Sequence, residues 1–271
     1  MAEIEINGTR LYYEDTGPGS TGETIALSHG LLWSTALFAP QIAALRERYR
    51  CIAWDHRGQG KSASDPLRSC IGMELVWKDA ERLLEAIAGG PVHFVGLSMG
   101  GFVGLRMASR RPDLVRTLSL IETSAEPEPP ENVPRYRMLA NVSRAVGVRP
   151  LRRKVLPIML GRSILTAPSR RAEVDRFGDI MTSRRDVWRA VNGVIDRAPV
   201  TDELARVRCP TLIVVGEEDT ATPIPKAERL AAGISGSRLV RIPRAGHSST
   251  VEEPEAVTQA LAAFLTSPVY V

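Results

Sequence analysis

The chain has 271 residues, 44% hydrophobic and 24% charged, which is ordinary for a globular protein with room for a large core. A net charge of +4 is small for that length and favours a solvated surface over a dedicated anionic partner. No window is apolar for the roughly 18 residues of a membrane helix. The three scattered cysteines, Cys51, Cys70 and Cys209, have no metal-ligand spacing and suit a reducing cytoplasm.

Residues 2–7 and 10–15 alternate apolar and polar side chains around Asn7-Gly8, the pattern of two strands joined by a type I′ turn. This N-terminus lacks the basic and apolar regions of a signal peptide. Past a turn-rich loop at 15–20, residues 24–28 read as a short buried strand running into His29-Gly30-Leu31-Leu32-Trp33-Ser34. A helix is predicted over 36–48 and a strand over 50–54. That strand ends in the polar turn Asp55-His56-Arg57-Gly58-Gln59-Gly60-Lys61-Ser62. The helix predicted over 71–88 carries Met73, Val76, Ala80, Leu83, Leu84 and Ile87 on one face. A β-branched run from Val92 leads through Gly96-Leu97-Ser98-Met99-Gly100 into another helix, and 115–121 is the next strand. Strands alternating with helices predict an α/β fold with mostly parallel pairing and helices on both faces.

From about 122 to 200 the alternation breaks. Glu126-Pro127-Glu128-Pro129-Pro130 reads as a linker, and the rest is helical, arginine-rich from Arg144 to Arg189 and interrupted by Pro150, Pro157 and Pro168. Residues 122–200 are therefore expected to form an inserted helical cap on a core made of 1–121 and 201–271. The alternation resumes with a strand at 211–215, a helix at 224–233, a strand at 238–242 and a closing helix at 254–266.

The pattern at 96–100 fits a nucleophile elbow, in which a strand turns so sharply into a helix that the flanking positions must be glycine. The turn lifts Ser98 clear of the sheet, at the positive end of a helix. A serine hydroxyl is a weak nucleophile near neutral pH and needs a base oriented by a carboxylate. Of the four histidines, His93 lies inside a strand, and His29 and His56 precede glycine-rich turns that they are expected to fix. His247, in the turn after the last strand, is the expected base. Glu217, Glu218 and Asp219 follow the preceding strand, and Asp219, farthest along the turn, is the expected acid. The backbone N–H of Met99 supplies one oxyanion donor, and the N–H of Leu31 is expected to supply the other, with Leu32 second. This chemistry calls for no metal and no cofactor.

Together His29-Gly30, the Asp55–Ser62 turn, Gly-Leu-Ser-Met-Gly-Gly at 96–101, Gly216-Glu217-Glu218-Asp219 and Gly246-His247 resemble the α/β-hydrolase superfamily over nearly the whole chain outside the cap. The order Ser98, Asp219, His247 is the one that fold uses. The elbow, the length and the C-terminal Gly-His-Ser…Glu-Glu-Pro-Glu are similar to 3-oxoadipate enol-lactonases and related small carboxylesterases. The resemblance implies the α/β-hydrolase fold, with Ser98 as nucleophile, Asp219 as acid and His247 as base. It also implies that Asp55 and Arg57 brace a turn near the site. The expected activity is cleavage of a carboxylic ester or lactone through an acyl-enzyme on Ser98.

Three alternatives share the scaffold: a C–C bond hydrolase, a cofactor-free perhydrolase or haloperoxidase, and a non-catalytic ligand receptor. Leu97 before the serine departs from the usual Asn of the first, and Leu31 from the usual aromatic of the second. Trp33, Met138, Leu139, Trp188 and Val191 are expected pocket residues. The cap arginines read as a solvated face or as a mouth for anionic substrates. They lack the aromatic interleaving of a nucleic-acid surface. The expected partner is thus a small ester or lactone, with no nucleic acid and no membrane.

Overall fold

A computed structural model describes residues 2–184 and 186–266; Arg185, one of the cap arginines, lies outside them. Strands β1 (Ala2–Ile6) and β2 (Thr9–Asp15) form an antiparallel hairpin. Asn7 and Gly8 at its tip have φ of 47° and 70°, the paired left-handed conformation of a type I′ turn. β2 then runs antiparallel beside β4 (Arg50–Trp54). β3 (Thr24–Ser28), β4, β5 (Val92–Leu97), β6 (Val115–Ile121), β7 (Thr211–Gly216) and β8 (Arg238–Ile242) pair in parallel. The full order is β1-β2-β4-β3-β5-β6-β7-β8.

Because side chains alternate across a strand, each central strand feeds two cores. Ile25, Leu27, Val95, Leu97, Leu212 and Val214 pack on one face. There they meet α1 (Ala39–Leu45) and α11 (Pro254–Leu265) through Leu45, Val257 and Leu261. Ala26, Phe94, Leu118 and Ile213 face the other side, against α2 (Met73–Ile87), α3 (Met99–Arg110) and α9 (Ile224–Gly233). Central strands buried on both faces explain why their sequences read as continuous apolar runs.

The helix expected over 36–48 is two pieces, a 3₁₀ turn at Thr35–Phe38 followed by α1. Phe38, at φ −101° and ψ 11°, departs from helical geometry between the two pieces, and Pro40 sits in the first turn of α1, where its missing N–H leaves no helical bond unmade. Between β6 and β7 the chain forms α4 (Val133–Val146), α5 (Arg152–Met159), α6 (Arg162–Thr166), α7 (Arg171–Met181) and α8 (Trp188–Ile195). No strand interrupts them among the described residues. A short helix not anticipated from the sequence, α10 (Ser249–Glu252), follows the last strand.

Candidate active site

β5 hands over to α3 through Ser98 alone, whose φ of 52° and ψ of −109° are strained for a residue with a side chain. The strain is held from three sides: Ser98 N–H donates to Ile121 O (2.8 Å), while its carbonyl accepts from Phe102 N–H (3.0 Å) and Thr123 Oγ1 (2.8 Å). Neighbouring backbone leaves no space for side chains at the flanks. A Cβ on Gly96 would stand 2.3 Å from Gly100 O, and one on Gly100 would stand 1.9 Å from Ser28 O.

The ends of β7 and β8 bring Asp219 and His247 to the same edge of the sheet. His247 Nε2 lies 2.9 Å from Ser98 Oγ, and Nδ1 lies 2.9 Å from Asp219 Oδ2. With the proton on Nδ1 donated to the carboxylate, Nε2 is free to accept from the serine hydroxyl. All three residues are nearly enclosed, at 8%, 4% and 5% exposure for Ser98, His247 and Asp219. Burial pushes the Asp219 carboxyl up, but the His247 ring and bonds from Thr222 outweigh it, so it lies below its ordinary value. Asp219 Oδ1 accepts from the N–H of Ala221 (2.8 Å) and Thr222 (3.0 Å), and Oδ2 from Thr222 Oγ1 (2.7 Å).

The three carboxylates of the β7 turn have separate fates. Glu217 is exposed. Glu218 reaches α6, where it accepts from Ser163 N–H (2.7 Å) and Ser163 Oγ (2.6 Å). Only Asp219 meets the histidine. Glu252, on α10, grips the backbone on both sides of that histidine. Its Oε1 accepts from Ser248 N–H (3.0 Å), and its Oε2 accepts from Gly246 N–H (3.1 Å) and from Gly161 N–H ahead of α6 (2.7 Å). Burial raises the Glu252 carboxyl above its ordinary value, with the three N–H groups pulling the other way. The sequence carried no signal for this role, because Gly161 is remote in the chain.

Glu122, just past β6, is fully buried. Burial, and then the Asp219 charge, raise its carboxyl well above the ordinary value. Its Oε1 accepts from Gly216 N–H (3.1 Å), and that bond and the Ser249 hydroxyl pull the other way. In the window between its unfolded and folded pKa values the fold holds a proton that the unfolded chain releases, so stability falls as pH rises through that window. Glu122→Gln keeps the acceptor and cannot ionise. Its gain in Tm is expected to be larger at about pH 8 than at about pH 5. A larger gain at the acidic end in thermal melts would reverse this assignment.

The loop after β3 lies against the elbow: a Cβ on Gly30 would sit 3.4 Å from Ser98 Cβ. Leu32, at φ 69°, donates its N–H to Gln59 Oε1 (2.9 Å), and Gln59 Nε2 reaches Met99 Sδ at 3.5 Å. Gln59 thus bridges both walls of the expected oxyanion pocket, a part the sequence did not suggest. With Leu32 N–H engaged, the N–H groups of Leu31 and Met99 stand without a protein acceptor among the described residues.

The remaining histidines serve the scaffold. His29 Nδ1 bonds Gly30 O (2.7 Å), and its Nε2 accepts from His56 N–H (3.0 Å), which fixes a neutral ring. Burial lowers the pKa of both His29 and His56. His93 contacts Thr117 Oγ1 at 2.9 Å between strands. Asp55 accepts from the N–H of Thr35 and Lys61, both at 2.7 Å, and Arg57 forms a buried pair with Asp79 at 2.7 Å.

A cavity of about 130 Å³ opens beside Ser98 and His247. Leu139 and Val191, expected pocket residues, line it, with Leu31, Phe102, Val155 and Met159. Trp33, Met138 and Trp188 lie elsewhere. Trp33 is buried, donates from Nε1 to Ser248 Oγ (3.1 Å) and meets Phe177 edge-on. Met138 is 51% exposed, on the outer side of α4. Trp188 packs against the guanidinium groups of Arg144 and Arg189, 5.0 and 4.5 Å from its ring centre. Arg152, on α5, pairs with Asp175 and Asp179 on α7, while Arg170 and Arg184 pair with the nearby Glu173 and Asp186. The arginine that does line the cavity is Arg197, beyond the stretch singled out in the sequence.

Fold and site together define a hydrolase with its reactive groups on the carboxyl edge of a doubly covered parallel sheet. The chain belongs to the alpha/beta hydrolase family, whose model matches residues 25–260. A thermophilic esterase from Thermogutta terrifontis, solved with malate bound, is 30% identical with a TM-score of 0.89, over 98% of each chain. The enol-lactonase of Burkholderia xenovorans LB400 is 26% identical with a TM-score of 0.88, over 98% of this chain and 100% of that one. A protein provisionally named carbamate hydrolase RutD, from Caulobacter sp. strain K31, is 30% identical over 267 residues, 94% of this chain and 96% of its own. The chain therefore resembles small esterases and lactonases in fold as well as in motifs. No described helix is long and apolar enough to cross a membrane.

Proposed function

We propose that the protein is a serine hydrolase that cleaves a carboxylic ester or lactone through an acyl-enzyme on Ser98. The observation that carries this reading is the unbroken hydrogen-bond chain from Ser98 Oγ through the His247 ring to Asp219, beside a largely apolar cavity. Oγ attacks the carbonyl carbon as His247 Nε2 takes its proton, and Asp219 balances the imidazolium. The N–H groups of Leu31 and Met99 receive the developing oxyanion. Nε2 then delivers the proton to the leaving alkoxide oxygen. Water, deprotonated by the same nitrogen, attacks the acyl carbon and releases the acid.

In this reading residues 122–200 act as a cap that walls the acyl or alcohol pocket with α4, α5 and α8. The esterase and enol-lactonase likenesses favour oxygen esters and lactones as the substrate class. Cys51, Cys70 and Cys209, all free thiols, favour a cytoplasmic setting. A fluorophosphonate probe is expected to label the peptide containing Ser98 and abolish p-nitrophenyl acetate turnover in the same step. Mass spectrometry that finds the label elsewhere, or full turnover after Ser98 is modified, overturns the proposal.

A further inference from the structure

The cavity beside Ser98 is apolar along most of its wall but has a polar end built from Glu128, Tyr136 and Arg197. Glu128 and Arg197 form an ion pair, Nη1 to Oε2 at 2.8 Å, with side-chain exposures of only 8% and 2%. The pair is elaborately tied down. Arg197 Nη1 also donates to Val194 O (2.8 Å) and its Nε donates to Glu126 O (3.0 Å). Asn132 Nδ2 donates to Glu128 Oε1 (3.0 Å), and the guanidinium carbon lies 4.6 Å from the centre of the Phe102 ring. Both Glu128 oxygens therefore already have donors. Two donor groups remain: Arg197 Nη2 and the Tyr136 hydroxyl make no hydrogen bond among the described residues. Neither is a sealed buried atom, and both residues face the catalytic cavity.

With each Glu128 oxygen already bonded once and two donor groups open, the polar end favours an acceptor oxygen. The charge balance narrows the choice. Arg197 is already paired with Glu128 and no second lysine or arginine is among the described residues that line the cavity, so a substrate carboxylate would meet an apolar wall with Glu128 close by and no unpaired cation at its surface. A neutral carbonyl meets neither objection. Resting on the serine-hydrolase reading, we infer that Tyr136 and Arg197 recognise a second, uncharged carbonyl oxygen on the substrate's apolar tail. The preferred substrates are then oxo-substituted esters or lactones rather than plain alkanoyl esters or half-esters of diacids.

The test compares p-nitrophenyl esters of C6 to C8 acids in three forms at each length: unsubstituted, with an oxo group on the penultimate carbon, and with a terminal carboxylate. At one chain length kcat/KM of the oxo ester is expected to exceed the unsubstituted ester by about tenfold, with the carboxylate form lowest. In Tyr136→Phe, which removes only the hydroxyl, the ratio of oxo to unsubstituted ester is expected to fall towards unity. Because the ratio is taken within one preparation, a change in folded fraction cancels. A wild-type ratio near one at every length, a preference for the carboxylate, or an unchanged ratio in Tyr136→Phe overturns the inference. If the wild-type enzyme hydrolyses none of these esters, the serine-hydrolase reading falls and the inference with it. Normal turnover with a flat ratio removes the inference alone.

Discussion

Ser98→Ala is expected to lower kcat for p-nitrophenyl acetate by on the order of 10⁶, the loss seen when the nucleophile of such a triad is removed. The chemical reason is complete. In the proposed mechanism no acyl-enzyme forms without Oγ, and His247 Nε2 has no hydroxyl to deprotonate at 2.9 Å. What survives is slow attack by water helped by binding and the N–H groups of Leu31 and Met99. The fold is expected to persist. The backbone bonds that hold position 98 run from Ile121, Phe102 and Thr123 to main-chain atoms, which alanine retains. Alanine also meets the same φ of 52° with no larger side chain, so the elbow strain is unchanged. Circular dichroism and a melting curve check that point separately from turnover. Undiminished hydrolysis by a folded variant would remove Ser98 from the mechanism.

The fold was legible where chain chemistry is local. The Asn7-Gly8 turn, the apolar central strands and the elbow glycines each follow from what one short stretch can adopt. The order of residues also sufficed to bring Ser98, Asp219 and His247 to one edge, because in a parallel sheet strand ends converge there. What was not legible depends on which remote residue meets which. Glu252 reads as a charge near the C-terminus until Gly161 and Gly246 are found donating to the same oxygen. Gln59 reads as a turn residue until it spans Leu32 and Met99. Trp33 is among the expected pocket residues. Its indole instead turns to Ser248 and Phe177, contacts that lie 215 and 144 residues away in the chain. Arg197 lay hidden among many arginines, since only burial against Glu128 separates it from those that salt-bridge at the surface.

The second large effect concerns the acid. Asp219→Asn is expected to reduce kcat/KM by about 10⁴, as loss of the charge in an intact triad geometry does elsewhere. An asparagine can still offer one oxygen to the N–H groups of Ala221 and Thr222, so the turn stays formed. Its NH₂ would then occupy the place of Oδ2 and face His247 Nδ1. A donor there forces the histidine proton onto Nε2, and a protonated Nε2 cannot accept from Ser98. The neighbouring carboxylates supply the control. Glu217→Gln alters an exposed side chain and should leave kcat/KM within about twofold, as surface changes generally do. Glu218→Gln weakens the grip on Ser163 N–H and Oγ, which moves α6 rather than the imidazole. Its effect is expected in KM and in Tm, within about tenfold in kcat/KM. If instead Glu218→Gln proves the more damaging to kcat while Asp219→Asn retains most activity, the acid must be reassigned. The bond from His247 Nδ1 to Asp219 would then be structural, and the imidazole would draw its orientation chiefly from the backbone on either side of it, held by Glu252.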